Sequence, residues 1–204
     1  MLRNIIIIFL NLIVIDSAIA QDFTFRGLLW NSSESQIIEK EGSPSKRTTS
    51  DQKQMFGEVT LSYESINVAG YDAIMEIEIG KAGIIAGTYS FSLNQEEFTF
   101  GLLNPQEHVN AYVDLIQKLT SLYGTPIESN SIDKLNERPS MLSIQNLQNS
   151  APLKSVWEFK EGGAIYLVLS FNQKWNLILA YISPTQYDII KKMQEAQANN
   201  KDGL

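Results

Sequence analysis

The chain carries one histidine, no cysteine and 23 Asp+Glu, so thiol chemistry is excluded and His108 and the carboxylates are the first groups to weigh. A nucleophilic triad needs an imidazole beside an activated hydroxyl, and no Gly-x-Ser-x-Gly turn supplies that hydroxyl. His108 falls in the first turn of a helix, on the flank of an apolar stripe, and is expected to be a partly exposed helix residue. A histidine-based metal site would need further nitrogen or sulfur ligands, which are absent. No catalytic residue, metal site or cofactor is therefore assigned.

Carboxylates cluster instead. Glu58, Glu64, Asp72, Glu76, Glu78, Glu96 and Glu97 share their stretch with only one cation, Lys81. Strand alternation places Glu58, Glu64, Asp72, Glu76 and Glu78 on one sheet face. Such a face suits a calcium-like site, docking of a basic partner or paired-carboxylate hydrolysis. The plainer reading is a solvated face that keeps an exposed sheet soluble and its edges unattractive.

The elements that hold these residues are legible from periodicity. Val59, Leu61 and Tyr63 alternate with polar residues, as do Tyr71, Ala73, Met75, Ile77 and Ile79. A turn at Gly80–Gly83 leads into a third alternating run through Tyr89 and Phe91. Three period-two segments predict an antiparallel meander with one buried face. Ser33 and Gln36 stand at capping-box spacing before a short helix that ends at Glu41, and Gly42 and Pro44 stop it. Residues 43–54 have no apolar residue except Pro44 and are expected to be a loop. A longer helix is expected over 105–123, capped by Asn104 with Pro105 in its first turn, its stripe running through Val109, Tyr112, Ile116 and Leu119. After a polar segment at 127–152, three strands are expected at about 154–160, 164–171 and 175–182. Ser183 and Pro184 then open a last helix with Tyr187, Ile190 and Met193 as its stripe.

The second strand set differs from the first. Beside its inward residues it keeps an outward apolar set that includes Val156, Tyr166, Val168, Ile178 and Ile182. Two apolar faces on one sheet must both be covered. The last helix can cover one; otherwise the outward set is a patch for a partner or a second copy.

Two halves of the chain echo each other. Gly27-Leu28-Leu29 and Gly101-Leu102-Leu103 precede the two early helices, and Gly42-Ser43-Pro44 and Gly124-Thr125-Pro126 follow them. Tyr63-Glu64 corresponds to Trp157-Glu158, Lys81 to Lys174 and Tyr89 to Tyr181. The expectation is a tandem repeat, 21–98 and 99–204, each copy a helix, a loop and three antiparallel strands, with the C-terminal helix appended.

Ahead of the repeat, Arg3, an apolar run from Ile5 to Ile15 and Ala18-Ile19-Ala20 have the form of an export signal over residues 1–20, cleaved after Ala20. The run is too short for the ~20 residues of a membrane span. Losing Arg3 and Asp16 together leaves the net charge at −7. That charge disfavours nucleic acid and anionic lipid as bulk partners. With no cysteine, disulfides and thiol nucleophiles are excluded, and the fold must rest on an ordinary core.

Phe25-Arg26-Gly27-Leu28-Leu29-Trp30, followed by the Ser-capped helix ending Lys40-Glu41-Gly42, resembles the opening of exported bacterial proteins of unknown role. The helix-plus-meander repeat is similar in outline to the β-lactamase-inhibitor protein and to envelope proteins of the SmpA/OmlA type, although no cysteine is present for an acyl anchor. The resemblance implies exported α/β binding modules rather than enzymes. The expected fold class is α+β, tandem helix-plus-three-stranded antiparallel repeats with helices mainly on one sheet face. The expected function is a non-catalytic, exported binding or inhibitor-like protein acting through a sheet face on another periplasmic, envelope or extracellular protein. A small-molecule or lipid carrier with a pocket between the sheet and the long helix is the alternative, and a hydrolase using the acidic face the next.

Overall fold

A computed structural model describes residues 23–50, 58–94, 97–99, 102–103, 105–129, 149 and 151–201. The expected export signal lies outside them. The described residues are α+β, with one eight-stranded, fully antiparallel sheet and three helices among them. In chain order the elements are α1 (Glu34–Glu41), β1 (Lys46–Thr49), β2 (Val59–Val68), β3 (Tyr71–Gly80), β4 (Gly83–Phe91), β5 (Glu97–Thr99) and β6 (Leu102–Leu103). Then follow α2 (Gln106–Tyr123), β7 (Glu128–Ser129), β8 (Leu153–Glu158), β9 (Ala164–Asn172), β10 (Lys174–Ile182) and α3 (Pro184–Lys201). The sheet order is β1-β2-β3-β4-β10-β9-β8-β7, and β5 and β6 form a separate hairpin.

The long strands arise where period-two alternation is strongest. Leu61, Tyr63, Ala73, Met75, Ile77 and Ile79 all point to one buried face. Across the β4–β10 seam the same face continues through Tyr89, Leu179, Leu177 and Trp175, and then through Ile165 and Leu167 of β9. Ile37 of α1 and Val109, Ala111, Tyr112, Leu115 and Leu119 of α2 join this core. The capping box at Ser33 and Gln36 forms as the spacing predicts.

Residues 23–30 form an entry segment ahead of α1. It makes a tight turn at Arg26-Gly27, closed by reciprocal Phe25–Leu28 backbone bonds of 3.3 and 2.9 Å. Phe25 is fully buried against the sheet, and Gly87 makes room for it: a Cβ there would lie 2.5 Å from the Phe25 ring. Gly163 does the same for Phe23 while holding φ +86°, a backbone region where side chains are strained.

Several expectations need correction. The stretch 43–54, expected as a loop, contains strand β1, which pairs with β2 from Lys46↔Ser62 to Thr49↔Val59. All four of its residues are exposed, so it has no apolar alternation to announce it; backbone hydrogen bonds to the β2 edge hold it. Glu128 and Ser129, in the expected polar segment, likewise form β7. Among the described residues, each half therefore contributes four strands to the main sheet rather than three. In α2 the capping position belongs to Pro105, without a side-chain hydrogen bond; Asn104 lies outside the described residues. Apart from these corrections, α1 and α2 contribute to the main core and α3 lies on the other face. Tyr187 of α3 packs with Val156, Ala164, Tyr166 and Ile182, a cluster separate from the main core.

The two halves pair in parallel ways. The Phe25↔Leu28 bridge has its counterpart in Thr99↔Leu102. Gly42 closes α1 with φ 87° and ψ −174°, and Gly124 closes α2 with φ 83° and ψ −172°. Three residues on, the amide of Ser45 donates to Ser62 O and that of Ile127 to Val156 O, both at 2.8 Å. Tyr63↔Met75↔Tyr89 in one half matches Trp157↔Ile165↔Tyr181 in the other.

Candidate functional site

The outward face of the sheet is best followed row by row. One row crosses four strands as Ile74↔Ser90↔Ile178↔Val168, ending at Lys154 on β8. The next reads Ser62↔Glu76↔Thr88↔Ala180↔Tyr166↔Val156. The third reads Thr60↔Glu78↔Ala86↔Ile182↔Ala164↔Glu158. The second and third rows run from polar and acidic residues on β2 and β3 to apolar ones on β10 and β9, while the first begins at the apolar Ile74. The acidic set and the apolar set, separate in sequence, are thus adjacent on one surface because β4 pairs with β10.

Helix α3 covers part of that surface. The Ser183 amide donates to Ile85 O at 2.9 Å, which fixes the start of the helix on β4. Tyr187 then seats over Val156 and Ala164, both buried, with Tyr166 and Ile182 half-buried beside it. The Tyr187 hydroxyl donates to Glu158 Oε1, and Lys191 Nζ lies 3.2 Å from the same oxygen. These two contacts hold the Glu158 carboxyl below its usual range. Burial and the Glu158 hydrogen bond push the Tyr187 phenol upward. Past its first turns the helix leaves the sheet: residues 191–197 are all exposed, and Met193, expected in its packing stripe, is 37% exposed.

The first row remains open. Ile74 is 40% exposed, and Val168 and Ile178 are only half-buried. A depression of about 200 Å³ runs from Ile74 past Ser90 and Asn176 to Ile178. A second, of about 360 Å³, runs from Ile74 to Ser92 and the acids Glu64 and Asp72. Ile74 belongs to both, so the apolar row and the acids form one continuous shallow surface.

Of the expected site residues, Val156, Tyr166 and Ile182 lie under or beside Tyr187, whereas Val168 and Ile178 stay at the open surface. Among the acids, Glu64 and Asp72 flank Ile74, and Asn67 Nδ2 donates to Asp72 Oδ1 at 3.3 Å. Ser62 Oγ donates to Glu76 Oε1 at 3.3 Å. Glu78 lies one register step further along β3, and Glu58 lies exposed just before β2. Among the described residues, no three His, Cys, Asp or Glu gather as a metal site would require. Ile74 went unassigned as a site residue, yet its signal was present: an isoleucine at the outward phase of Asp72-x-Ile74-x-Glu76-x-Glu78.

His108 is corrected from partly exposed to buried, at 1% exposure. It shares a helix face with Ala111, Tyr112, Leu115 and Leu119, spaced i, i+3, i+4, i+7 and i+11. Among the described residues its Nδ1 has no hydrogen-bond partner, and burial lowers its pKa to about 4. Such an imidazole is uncharged at neutral pH and away from any open surface. No described helix is long and apolar enough to cross a membrane.

Comparison of the chain with protein-family models, curated proteins and solved structures returns no match.

Proposed function

We propose that this chain is an exported, non-catalytic binding protein whose working surface is the open outward row Ile74–Ser90–Ile178–Val168 with its acidic flank. The observation that carries the reading is the unequal cover of the sheet. Two helices and the entry segment bury one face, while α3 docks only its first turns on the other. What α3 leaves open is neither a uniformly solvated face nor a closed core. It is a band of apolar side chains and small hydroxyls beside Glu64, Asp72, Glu76 and Glu78. Apolar contact area with a charged rim is the usual composition of a protein-binding surface. The rim chooses a partner with lysines or arginines around an apolar centre. The chemically active groups are elsewhere: the imidazole lies in the core.

We further propose that the sheet arose by tandem duplication, with copies at 21–98 and 99–204 meeting at β4 and β10. The matching bridges, glycine caps and strand registers support this reading. So does the pairing about Thr88↔Ala180, on either side of which Gly87↔Tyr181 and Tyr89↔Leu179 stand as counterparts. One unit would bury a single sheet face under one short helix; two side by side share a core.

The test is capture from envelope extract on immobilised protein, with Ile74→Asp and Ile178→Asp as comparisons. Both substitutions are at open positions, so circular dichroism should report an unchanged fold. A protein retained by the parent, weakened by each substitution and released by raised salt supports the reading. Capture indifferent to both substitutions contradicts it.

A further inference from the structure

On the opposite, helix-bearing face the seam between the two halves holds a pocket of about 210 Å³. Its walls are Phe23, Phe25, Arg26, Tyr89, Tyr123 and Tyr181. Tyr89 and Tyr181 come from the two strands that join the halves, Tyr123 from the end of α2 and the rest from the entry segment. The volume suits one six-membered ring, since an apolar cavity of ~150 Å³ already admits benzene. Tilted rings line it: Phe25 lies 5.4 Å from Tyr89 and 5.5 Å from Tyr181, centroid to centroid.

Arg26 sets the polarity of the pocket. Its Nε donates to both carboxylate oxygens of Glu41 at 2.9 Å, and the Glu41 side chain is only 7% exposed, so the guanidinium is anchored from behind. Its own side chain remains 36% exposed. The Arg26 cation also acts on the Tyr89 phenol, opposing the upward push of its burial. Lys40 Nζ sits beside Gly27, 3.0 Å from where a Cβ would be. Two cations against one carboxylate leave a positive charge over.

The backbone adds an independent observation. Arg26 and Gly27 are the two central residues of the turn closed by Phe25 and Leu28, with φ 54° and 70°. Turns of that shape favour Asn-Gly or Asp-Gly, and a long side chain in the left-handed region is strained. A residue held in strain beside a pocket points to a use for its side chain. A planar guanidinium matches a carboxylate edge to edge, and the aromatic walls match a flat ring.

We propose that this pocket binds a small planar carboxylate built on a single aromatic ring, the ring against the aromatic wall that includes Phe23, Tyr123 and Tyr181 and the carboxylate against Arg26. The site is separate from the outward face, and either reading can fail without the other.

Benzoate is the probe, with benzyl alcohol as its uncharged counterpart, measured by saturation-transfer NMR on the intact mature chain. The expected result is saturable benzoate binding at least tenfold tighter than benzyl alcohol. The double variant Arg26→Asn, Glu41→Gln suits the left-handed backbone and leaves no orphaned buried charge. It should melt within a few degrees of the parent and bind benzoate at least tenfold more weakly. If it does not fold, Lys40→Gln replaces it: Lys40 is exposed, and its loss should weaken benzoate about threefold and leave benzyl alcohol unchanged. The proposal is overturned by the absence of saturable benzoate binding in the parent. Equal affinity for the two probes overturns it too, as does a folded variant that binds benzoate as the parent does.

Discussion

His108 is a polar residue at a core position, and the consequence is a pH dependence. The unfolded imidazole titrates near 6.5 and the folded one at about 4, so the unfolded chain takes up the proton first as the pH falls. This contribution to stability is whole above pH 6.5 and is lost on the way down to 4; by pH 5 the loss is about 2 kcal/mol. Urea titrations at pH 7 and pH 5 check it. His108→Met should remove most of the slope in that window, and an unchanged slope would assign it to other groups. Gly87 is a second residue-scale test. A Cβ there meets the Phe25 ring at 2.5 Å, and overpacking of this kind costs about 1–3 kcal/mol. Gly87→Ala should lower the melting temperature, whereas an unchanged one would mean that Phe25 can shift freely. Neither residue is conspicuous in the sequence. The residue type of His108 hides a core position that helical spacing from Ala111, Tyr112 and Leu115 places there. The need for Gly87 arises from Phe25, which is distant in sequence.

The elements divide by how they are stabilised. Strands β2, β3, β4, β9 and β10 bury alternate side chains, so their alternation is written in the residues. Strands β1 and β7 have every residue exposed and are held by backbone bonds to a neighbour, which leaves no side-chain pattern to read. The edge strand β1 carries Lys46 and Arg47, and Arg47 is paired with Glu34 of α1 at 2.6 Å; charges of this kind also deter further strand addition. Helix α3 shows the opposite disparity: of the expected stripe Tyr187, Ile190 and Met193, only Tyr187 is buried. Deleting the chain from Met193 onward should therefore change stability by less than ~0.5 kcal/mol. Tyr187→Ala should cost about 2–3 kcal/mol by uncovering Val156 and Ala164. Thermal melts of the two variants check this, and comparable losses would mean that the distal turns dock as well.

At the scale of the molecule, the meanders are local and legible, but the β4–β10 pairing joins residues about 90 positions apart (Thr88↔Ala180). That pairing merges an acidic set and an apolar set into one outward surface, and it builds the aromatic pocket on the other side. Neither juxtaposition has a local signature. The central claim is that the outward row is open in the free protein and is where a partner sits. The natural absence of cysteine allows a clean measurement, the thiol-labelling rates of Ile74→Cys and Ile178→Cys in buffer and in concentrated envelope extract, with buried Ile77→Cys as reference. Both outward thiols should label readily in buffer, Ile77→Cys should not, and extract should protect the outward pair alone. Outward thiols as unreactive as the reference in buffer, or rates in extract equal to those in buffer, would contradict the account.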